Sequence, residues 1–232
     1  MTGLEDLAFL REKGHVISLV GGGGKTTLLY AMARRCAGQK VLVSTTTHIL
    51  RTETHYAPDE AARDALWAEN TYAVAGTPAP NGKLTALPPE VLARWMAQAD
   101  FVLLEADGAK HHPCKAPAAH EPVLLPESDI VLAVAGLSAV GKPLREVCFR
   151  LEEACALLAV PPETPLTPEL LAALLASENG GKKNVDKRKF YAILNQADSS
   201  ECRRAGEQTL AMLVERWAVP GVLTSFEEGE RA

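Results

Sequence analysis

Apolar runs and amphipathic stretches alternate along the whole chain, and this pattern predicts alternating β-strands and α-helices. Continuous apolar runs without a polar face indicate strands that are buried on both sides. They occur at 15–20, 40–45, 71–75, 101–105, 130–135, 190–195 and 221–225. The predicted fold class is therefore α/β, with three layers and a mostly parallel central sheet covered by helices on both faces.

Helical spacing of apolar residues fills most of the intervals between these runs. It predicts a short helix near 4–8 and longer helices at 25–37, 57–70, from Pro88 onward, 151–159, 168–176 and 200–217. Thr167 is the expected N-cap of the helix that starts at Pro168. The segments 76–84 and 179–189 read as polar loops. The stretch 107–128 is the longest without periodicity, and loops of that length inside a compact domain are often functional.

Composition narrows the class of protein. With 232 residues, 47% of them hydrophobic, we expect one domain over residues 1–232. A net charge of −5 argues against a nucleic-acid partner. Five cysteines without a CxxC pair, and an N-terminus that does not resemble a signal peptide, favour a cytoplasmic setting. The sequence contains no run of about 18 apolar residues, so it predicts no membrane span.

A glycine-rich stretch, HVISLVGGGGKTT, follows the first predicted strand and opens the next helix. Glycines let backbone amides converge on phosphate oxygens, and the start of a helix favours an anion. We expect Gly21–Gly24 and Thr27 to cradle a phosphate, Lys25 to reach the terminal phosphates, and Thr26 to bind Mg²⁺. The full phosphate-loop pattern needs a glycine where Leu19 stands, so the loop resembles the shortened one of Mur-type ligases and is expected to cradle fewer oxygens. The alternative is a glycine turn with a solvated lysine.

Polar residues stand at the ends of two further strands, where ligands gather in open α/β sheets. Glu105 and Asp107 follow the third long strand, and either is expected to hold Mg²⁺ while the other orients a nucleophile. A turn with a solvated Asp-Gly is the alternative. Thr45–His48 end the second strand, and His48 is a candidate for proton transfer. A threonine-rich strand end without chemistry is an equal alternative.

The strand at 190–195 ends in LNQAD, in which Asn195 and Asp198 match the N-x-x-D of a guanine-reading motif. A carboxylate there accepts hydrogen bonds from guanine that adenine cannot donate. Gln196 replaces the usual lysine. The pattern favours GTP slightly over ATP, and a polar turn is the alternative.

The segment GAKHHPCKAPAAHEP carries charges that suit an anionic substrate. Lys110 and Lys115 are expected to neutralise a substrate or a phosphate, with His120 and Glu121 beside them. A zinc site is an alternative for the histidines and the cysteine, namely His111, His112, Cys114 and His120. A solvated lid is the other alternative. A second strand-end Gly-Lys places Lys142 as a further candidate for the ligand crevice.

Taken in order, SLVGGGGKTT, VLVSTTTHI, FVLLEADGAK, KAPAAHEP, GLSAVGKPL and LNQAD resemble the YqeC family over residues 15–198. The resemblance implies a P-loop NTPase-like fold and a role in maturing a selenium-dependent molybdenum hydroxylase. The implied partners are that hydroxylase or its cofactor-assembly proteins. The motif positions are Gly24, Lys25, Thr26, Glu105, Asp107, Lys115, His120 and Glu121.

Three functions follow from these residues. The first is a Mg²⁺-dependent nucleoside-triphosphate hydrolase acting as an accessory factor, using ATP or GTP. In it Lys25 stabilises the transferring phosphoryl group, Thr26 and Glu105 hold the metal, and Asp107 or His48 positions water. The second is a small-molecule phosphotransferase or Mur-like ligase. The third is a non-catalytic nucleotide-binding scaffold.

Overall fold

The computed structural model describes residues 3–36 and 38–226, and its centre is a seven-stranded sheet. Five smaller strands form two further sheets. The strands in chain order are β1 (His15–Gly21), β2 (Val41–Thr45), β3 (His48–Leu50), β4 (Ala73–Val74), β5 (Thr77–Ala79), β6 (Lys83–Thr85), β7 (Phe101–Glu105), β8 (Cys114–Lys115), β9 (Ile130–Gly136), β10 (Cys148–Phe149), β11 (Lys189–Asn195) and β12 (Gly221–Leu223).

The central sheet has the order β12-β11-β9-β1-β7-β2-β4, and every neighbouring pair is parallel. Strand β1 lies between β7 and β9, with Leu19 opposite both Glu105 and Leu132. Since all these strands run the same way, their carboxyl ends share one edge. The segments that follow β1, β2, β7 and β9 therefore meet there.

Helices cover both faces of this sheet, which confirms the predicted three-layer α/β architecture. They are α1 (Lys25–Arg35), α2 (Glu60–Ala68), α3 (Pro89–Met96), α4 (Leu144–Val147), α5 (Leu151–Leu158), α6 (Pro168–Ala176) and α7 (Ser200–Trp217). Alternate residues of each strand point to opposite faces. Ile130 and Leu132 of β9 thus pack in the cluster that contains α1, whereas Val131 packs in the cluster that contains α6.

Local capping sets several helix starts. The side chain of Thr167 accepts a hydrogen bond from the amide of Leu170, which confirms the predicted N-cap. Asp59 accepts from the amide of Ala62, so α2 begins later than the pattern predicts. The N-terminal segment forms two short 3₁₀ helices, Leu4–Asp6 and Ala8–Arg11, rather than one α-helix. The predicted end of α1 at Ala37 lies outside the described residues.

The two small sheets were not predicted, and β5, β6 and β8 lie in or at the edge of segments that the sequence pattern assigns to loops. Strands β3, β6 and β5 pair antiparallel in that order. The β5–β6 turn contains Asn81 and Gly82 with φ of 61° and 66°, the left-handed pair that a tight hairpin requires. Strands β8 and β10 pair parallel and attach the segment after β7 to the segment after β9. Among the described helices, none combines the length and the apolar character needed to cross a bilayer.

Candidate functional site

The glycine loop, residues 21–24, joins the end of β1 to the start of α1. Gly21, Gly23 and Gly24 have φ of 95°, 73° and 98°, which side-chain-bearing residues rarely adopt. The backbone of β9 also runs close beside the loop. A Cβ on Gly23 would lie 2.0 Å from the amide nitrogen of Gly136. The glycines are therefore required by both conformation and close approach.

The backbone amides of residues 21–26 divide into those that donate to neighbouring segments and those that do not. The amides of the first group belong to Gly21, Gly22 and Gly23. Gly21 donates to the Asp107 carboxylate at 3.0 and 3.1 Å, Gly22 to the Val134 carbonyl at 2.9 Å, and Gly23 to the His112 carbonyl at 3.0 Å.

The amides of Gly24, Lys25 and Thr26 donate to no group among the described residues. Because the first amides of a helix attract anions, the junction of the loop with α1 is the part of the loop whose geometry suits an anion. The sequence predicts a cradle over the whole of 21–27, whereas only this shorter segment has amides without a partner among the described residues.

Lys25 lies at this junction, and its side chain is only 4% exposed. Its Nζ lies 2.6 Å from the Gly21 carbonyl, 3.1 Å from Asp107 Oδ1 and 3.8 Å from Glu105 Oε1. Burial lowers the pKa of Lys25, but the carboxylates of Asp107 and Glu105 outweigh burial and raise it above its usual value. The ammonium group is therefore charged at neutral pH.

Glu105 and Thr26 place two oxygen ligands beside this ammonium group. The Thr26 hydroxyl donates to Glu105 Oε2 at 3.0 Å. Burial raises the pKa of Glu105, and the charge of Lys25 and the hydrogen bond from Thr26 offset only part of that effect. A hydroxyl in the first turn of a helix and a carboxylate at the end of the neighbouring strand are ligands of the type that Mg²⁺ takes in phosphate sites. These two residues therefore fit the predicted metal-binding role.

Asp107 lies beneath the glycine loop. Its side chain is 2% exposed, and it contacts Lys25 at 3.1 Å and Lys115 at 2.9 Å besides the Gly21 amide. It does not line the open cleft beside the loop. The geometry thus gives Asp107 the part of holding the loop and Lys25 in place, whereas the sequence predicts a metal-binding or water-orienting group.

Lys115 continues this network away from the loop. Its Nζ lies 2.9 Å from Glu121 Oε2 and 2.6 Å from the Gly108 carbonyl. Burial raises the pKa of Glu121, but hydrogen bonds from Lys115 and the Ala118 amide bring it below its usual value. Glu121 also accepts from Arg150 Nε at 3.2 Å. We call this line of alternating charges, Lys25–Asp107–Lys115–Glu121–Arg150, the charge chain.

A cleft of about 890 Å³ opens beside the glycine loop, within the usual size range of small-molecule sites. It brings together residues from the glycine loop, from β3 and the β5–β6 hairpin, from the segment after β7, and from β10. Of the predicted site residues, those lining it are Gly22, Gly23, Gly24, Lys25, Thr26, Thr27, His48, Glu105, Lys110, His120 and Glu121. Leu50, Lys83 and Phe149 also line it, and the sequence did not assign them to the site. Arg150 lines it too; from the sequence it is a candidate for phosphate or partner contacts, with a surface residue as the alternative.

Comparison with known proteins agrees with these motifs. A family model described as YqeC protein matches residues 17–152, more than half of the chain. The chain belongs to the YqeC family. The uncharacterized protein YqeC of Escherichia coli (strain K12) is 33% identical over 187 residues, which span 75% of this chain and 73% of that relative. The range matched to the YqeC model contains the glycine loop and the whole charge chain, whereas Asn195 and Asp198 follow it.

In this YqeC family member, Asn195 supports the glycine loop from behind. Its side chain is buried, donates to the Gly23 carbonyl at 2.8 Å and accepts from the Thr224 hydroxyl at 3.0 Å. Asp198 is exposed and accepts from the Ser225 hydroxyl at 2.6 Å. Neither lines the cleft, so the structure does not bring the two halves of the predicted base-reading motif to the same opening.

The histidines and the cysteine of the segment after β7 do not converge. Among residues 3–36 and 38–226, no group of three or more His, Cys, Asp or Glu side chains is placed to hold a metal ion. Cys114 is buried against Cys148, which together with burial raises the pKa of its thiol. His112 stacks on Phe149 with ring centroids 5.9 Å apart. The zinc alternative therefore has no support from the described residues. Lys142 is exposed and lies outside the cleft lining.

Proposed function

We propose that this YqeC family member binds a nucleoside triphosphate with Mg²⁺ at the junction of the glycine loop and α1, and hydrolyses it. One observation carries the proposal. Three consecutive amides, those of Gly24, Lys25 and Thr26, lack partners among the described residues and lie beside a buried, charged lysine at the edge of the cleft. Partnerless amides at a helix start next to a fixed ammonium group match the needs of a polyphosphate.

The chemistry assigned to each residue follows from its position. A water oxygen bonds to the terminal phosphorus while the bond to the bridging oxygen breaks, giving the nucleoside diphosphate, phosphate and a proton. Lys25 neutralises charge on the phosphates. Thr26 and Glu105 would hold Mg²⁺, which supplies further positive charge when bound. Of the two predicted water-positioning residues, His48 lines the cleft and Asp107 does not. We therefore assign that part to His48.

The client of the reaction is the part of the proposal that rests on resemblance alone. The YqeC family is associated with selenium-dependent molybdenum hydroxylase systems, so we propose maturation of such a hydroxylase or of its cofactor as the purpose of hydrolysis.

Thermal unfolding with ATP or GTP, with and without Mg²⁺, tests the proposal. At a nucleotide concentration of about 100 times its Kd, binding should stabilise the fold by about 2.7 kcal/mol. Thr26→Val should abolish the Mg²⁺-dependent part of this stabilisation, and Thr26→Ser should retain it. Because Mg²⁺ needs an ionised Glu105, the Mg²⁺ effect should grow as pH rises through the raised pKa of that residue. No stabilisation by either nucleotide would refute the proposal.

A second function, phosphoryl transfer to a small molecule, is favoured by the extent of the cleft. The cleft continues beyond the glycine loop to the hairpin of β5 and β6 and to β10, which leaves room for an acceptor. Phosphate release measured without any acceptor distinguishes the two. Steady release supports hydrolysis, and release that requires an added acceptor supports transfer.

Asn195→Ala tests how the base is selected. We expect it to weaken ATP and GTP binding by the same factor, since its amide holds the Gly23 carbonyl rather than lining the cleft. It should also lower stability by about 1–3 kcal/mol, because a buried carbonyl and hydroxyl lose their partner. Asp198→Ala is the matched variant. It should weaken the binding of GTP and leave the binding of ATP unchanged if that carboxylate reads guanine. Binding measured by calorimetry decides, and a loss confined to GTP in Asn195→Ala would contradict the supporting role.

A further inference from the structure

One part of the cleft lining gathers positive charge around one aromatic ring. Lys110 Nζ, Arg150 Cζ and Lys115 Nζ lie 5.3, 5.0 and 5.9 Å from the ring centroid of Phe149. Each cation is thereby attracted to the ring, which partly offsets the repulsion between them. We call Lys110, Phe149 and Arg150 the cationic wall.

Lys110 and Arg150 of the cationic wall keep nitrogen donors that are unpaired among the described residues, whereas Lys115 does not. Lys115 is buried and bound by two carboxylates. The Lys110 ammonium makes no hydrogen bond or ion pair with any described residue, and the only one that Arg150 makes is from Nε to Glu121. Glu121, the acidic neighbour, already shares its carboxylate with Lys115. One ammonium group and both Nη nitrogens of Arg150 thus remain as donors in the cleft.

Three residues at the same place have unusual backbone conformations. Lys110, His111 and Arg150 have φ of 46°, 66° and 64°, in the left-handed region that residues other than glycine seldom occupy. All three line the cleft. Such conformations persist where the surrounding structure enforces them, and they cluster at ligand-binding sites. The wall is held in a conformation that local preference does not explain.

Backbone hydrogen bonds fix the cationic wall to the glycine loop. The His112 carbonyl accepts from the Gly23 amide at 3.0 Å, and the Pro113 carbonyl accepts from the Gly136 amide at 2.7 Å. Strand pairing then places Lys115 beside Phe149. The wall and the loop are therefore parts of one connected frame on the same cleft, and a ligand on the wall shares that cleft with a phosphate on the loop.

We propose that the cationic wall is a second anion site, which binds a small molecule through a phosphate or carboxylate group. Arg150 supplies a planar pair of donors suited to either group, and Lys110 supplies a point charge. In this proposal, binding at the wall does not require a nucleotide on the glycine loop. If the proposed function holds in its transfer form, the wall is the place of the acceptor.

Amide chemical shifts, recorded by NMR during titration with inorganic phosphate and separately with succinate, test this site. Two groups of amides report separately: 24–26 for the glycine loop, and 108–112 with 149–150 for the wall. At least one probe should shift the wall amides saturably. Lys110→Gln should weaken that binding about fivefold, the effect of one partly screened charge. The apparent Kd reported by the loop amides should change by less than about twofold. Lys142→Gln removes an exposed lysine charge outside the cleft and should change neither group.

Wall amides that respond to neither probe, or that titrate unchanged in Lys110→Gln, would overturn the second site. A failure of the proposed function would be seen at the other group of amides, those of residues 24–26. In that case Mg²⁺ with ATP or GTP would leave residues 24–26 unshifted while phosphate or succinate still shifted the wall.

Discussion

Lys25→Met is expected to abolish stabilisation by nucleotide and to lower hydrolysis at least about 100-fold, since loss of one preorganised donor to a developing oxyanion typically costs about 100- to 1000-fold. Lys25 is the buried cation at the start of α1, and carboxylates keep it charged. The fold should survive, because Asp107 keeps its contacts with Lys115 and with the Gly21 amide. Phosphate release and nucleotide-dependent thermal shifts measure the two effects.

Lys142→Met is the matched control, because that lysine is exposed, its side chain makes no hydrogen bond or ion pair among the described residues, and it lies outside the cleft. It should bind and hydrolyse nucleotide as the unmodified chain does. Circular dichroism of Lys25→Met without nucleotide establishes that the variant is folded. A folded Lys25→Met that keeps its nucleotide response would show that the α1 junction is not the phosphate site.

Asp107→Asn is expected to lower the free energy of unfolding by about 3–5 kcal/mol, the usual cost of removing one partner from a buried ion pair. Both carboxylate oxygens accept from a lysine, Lys25 on Oδ1 and Lys115 on Oδ2. An amide in that place turns an NH₂ group toward one ammonium whichever way it is oriented. For a chain of this size, the melting temperature should fall by roughly 6–20 °C.

Asp186→Asn separates this effect from a general loss of negative charge. Asp186 forms an ion pair with Arg188 at 3.3 Å, its side chain is 77% exposed, and its φ of 53° suits asparagine. Exposed pairs contribute about 0–1 kcal/mol, so its melting temperature should barely change. Equal melting temperatures for the two variants in differential scanning calorimetry would mean that the charge chain does not stabilise the fold.

The central sheet was predictable because its strands are apolar on both faces. All seven predicted strands are strands of that sheet, and their errors are confined to the ends. The small sheets were missed because strands of two or three residues carry no measurable periodicity. A signal did exist for one of them, since Asn81-Gly82 is a dipeptide typical of hairpin turns.

The candidate site was predictable only as far as strand ends could place it. Lys25, Thr26 and Glu105 follow two adjacent strands, and the structure brings them within contact. Asp107 stands two residues after Glu105, a spacing that would put both side chains on one face if the strand continued, but β7 ends at Glu105. Phe149 and Arg150 reach the cleft through the β8–β10 pairing, which depends on contacts distant in sequence.

The hairpin of β5 and β6 has a consequence for how this cleft evolves. The residues of the proposed phosphate chemistry follow strands of the central sheet, whereas one side of the cleft is built from a separate antiparallel ribbon whose turn, at Asn81 and Gly82, is exposed. Insertions and deletions are tolerated best at such tips. Lengthening or reshaping this ribbon would change which molecules enter the cleft. Lys25, its supporting carboxylates and the start of α1 would stay unchanged. Relatives could therefore diverge in ligand and keep the proposed reaction.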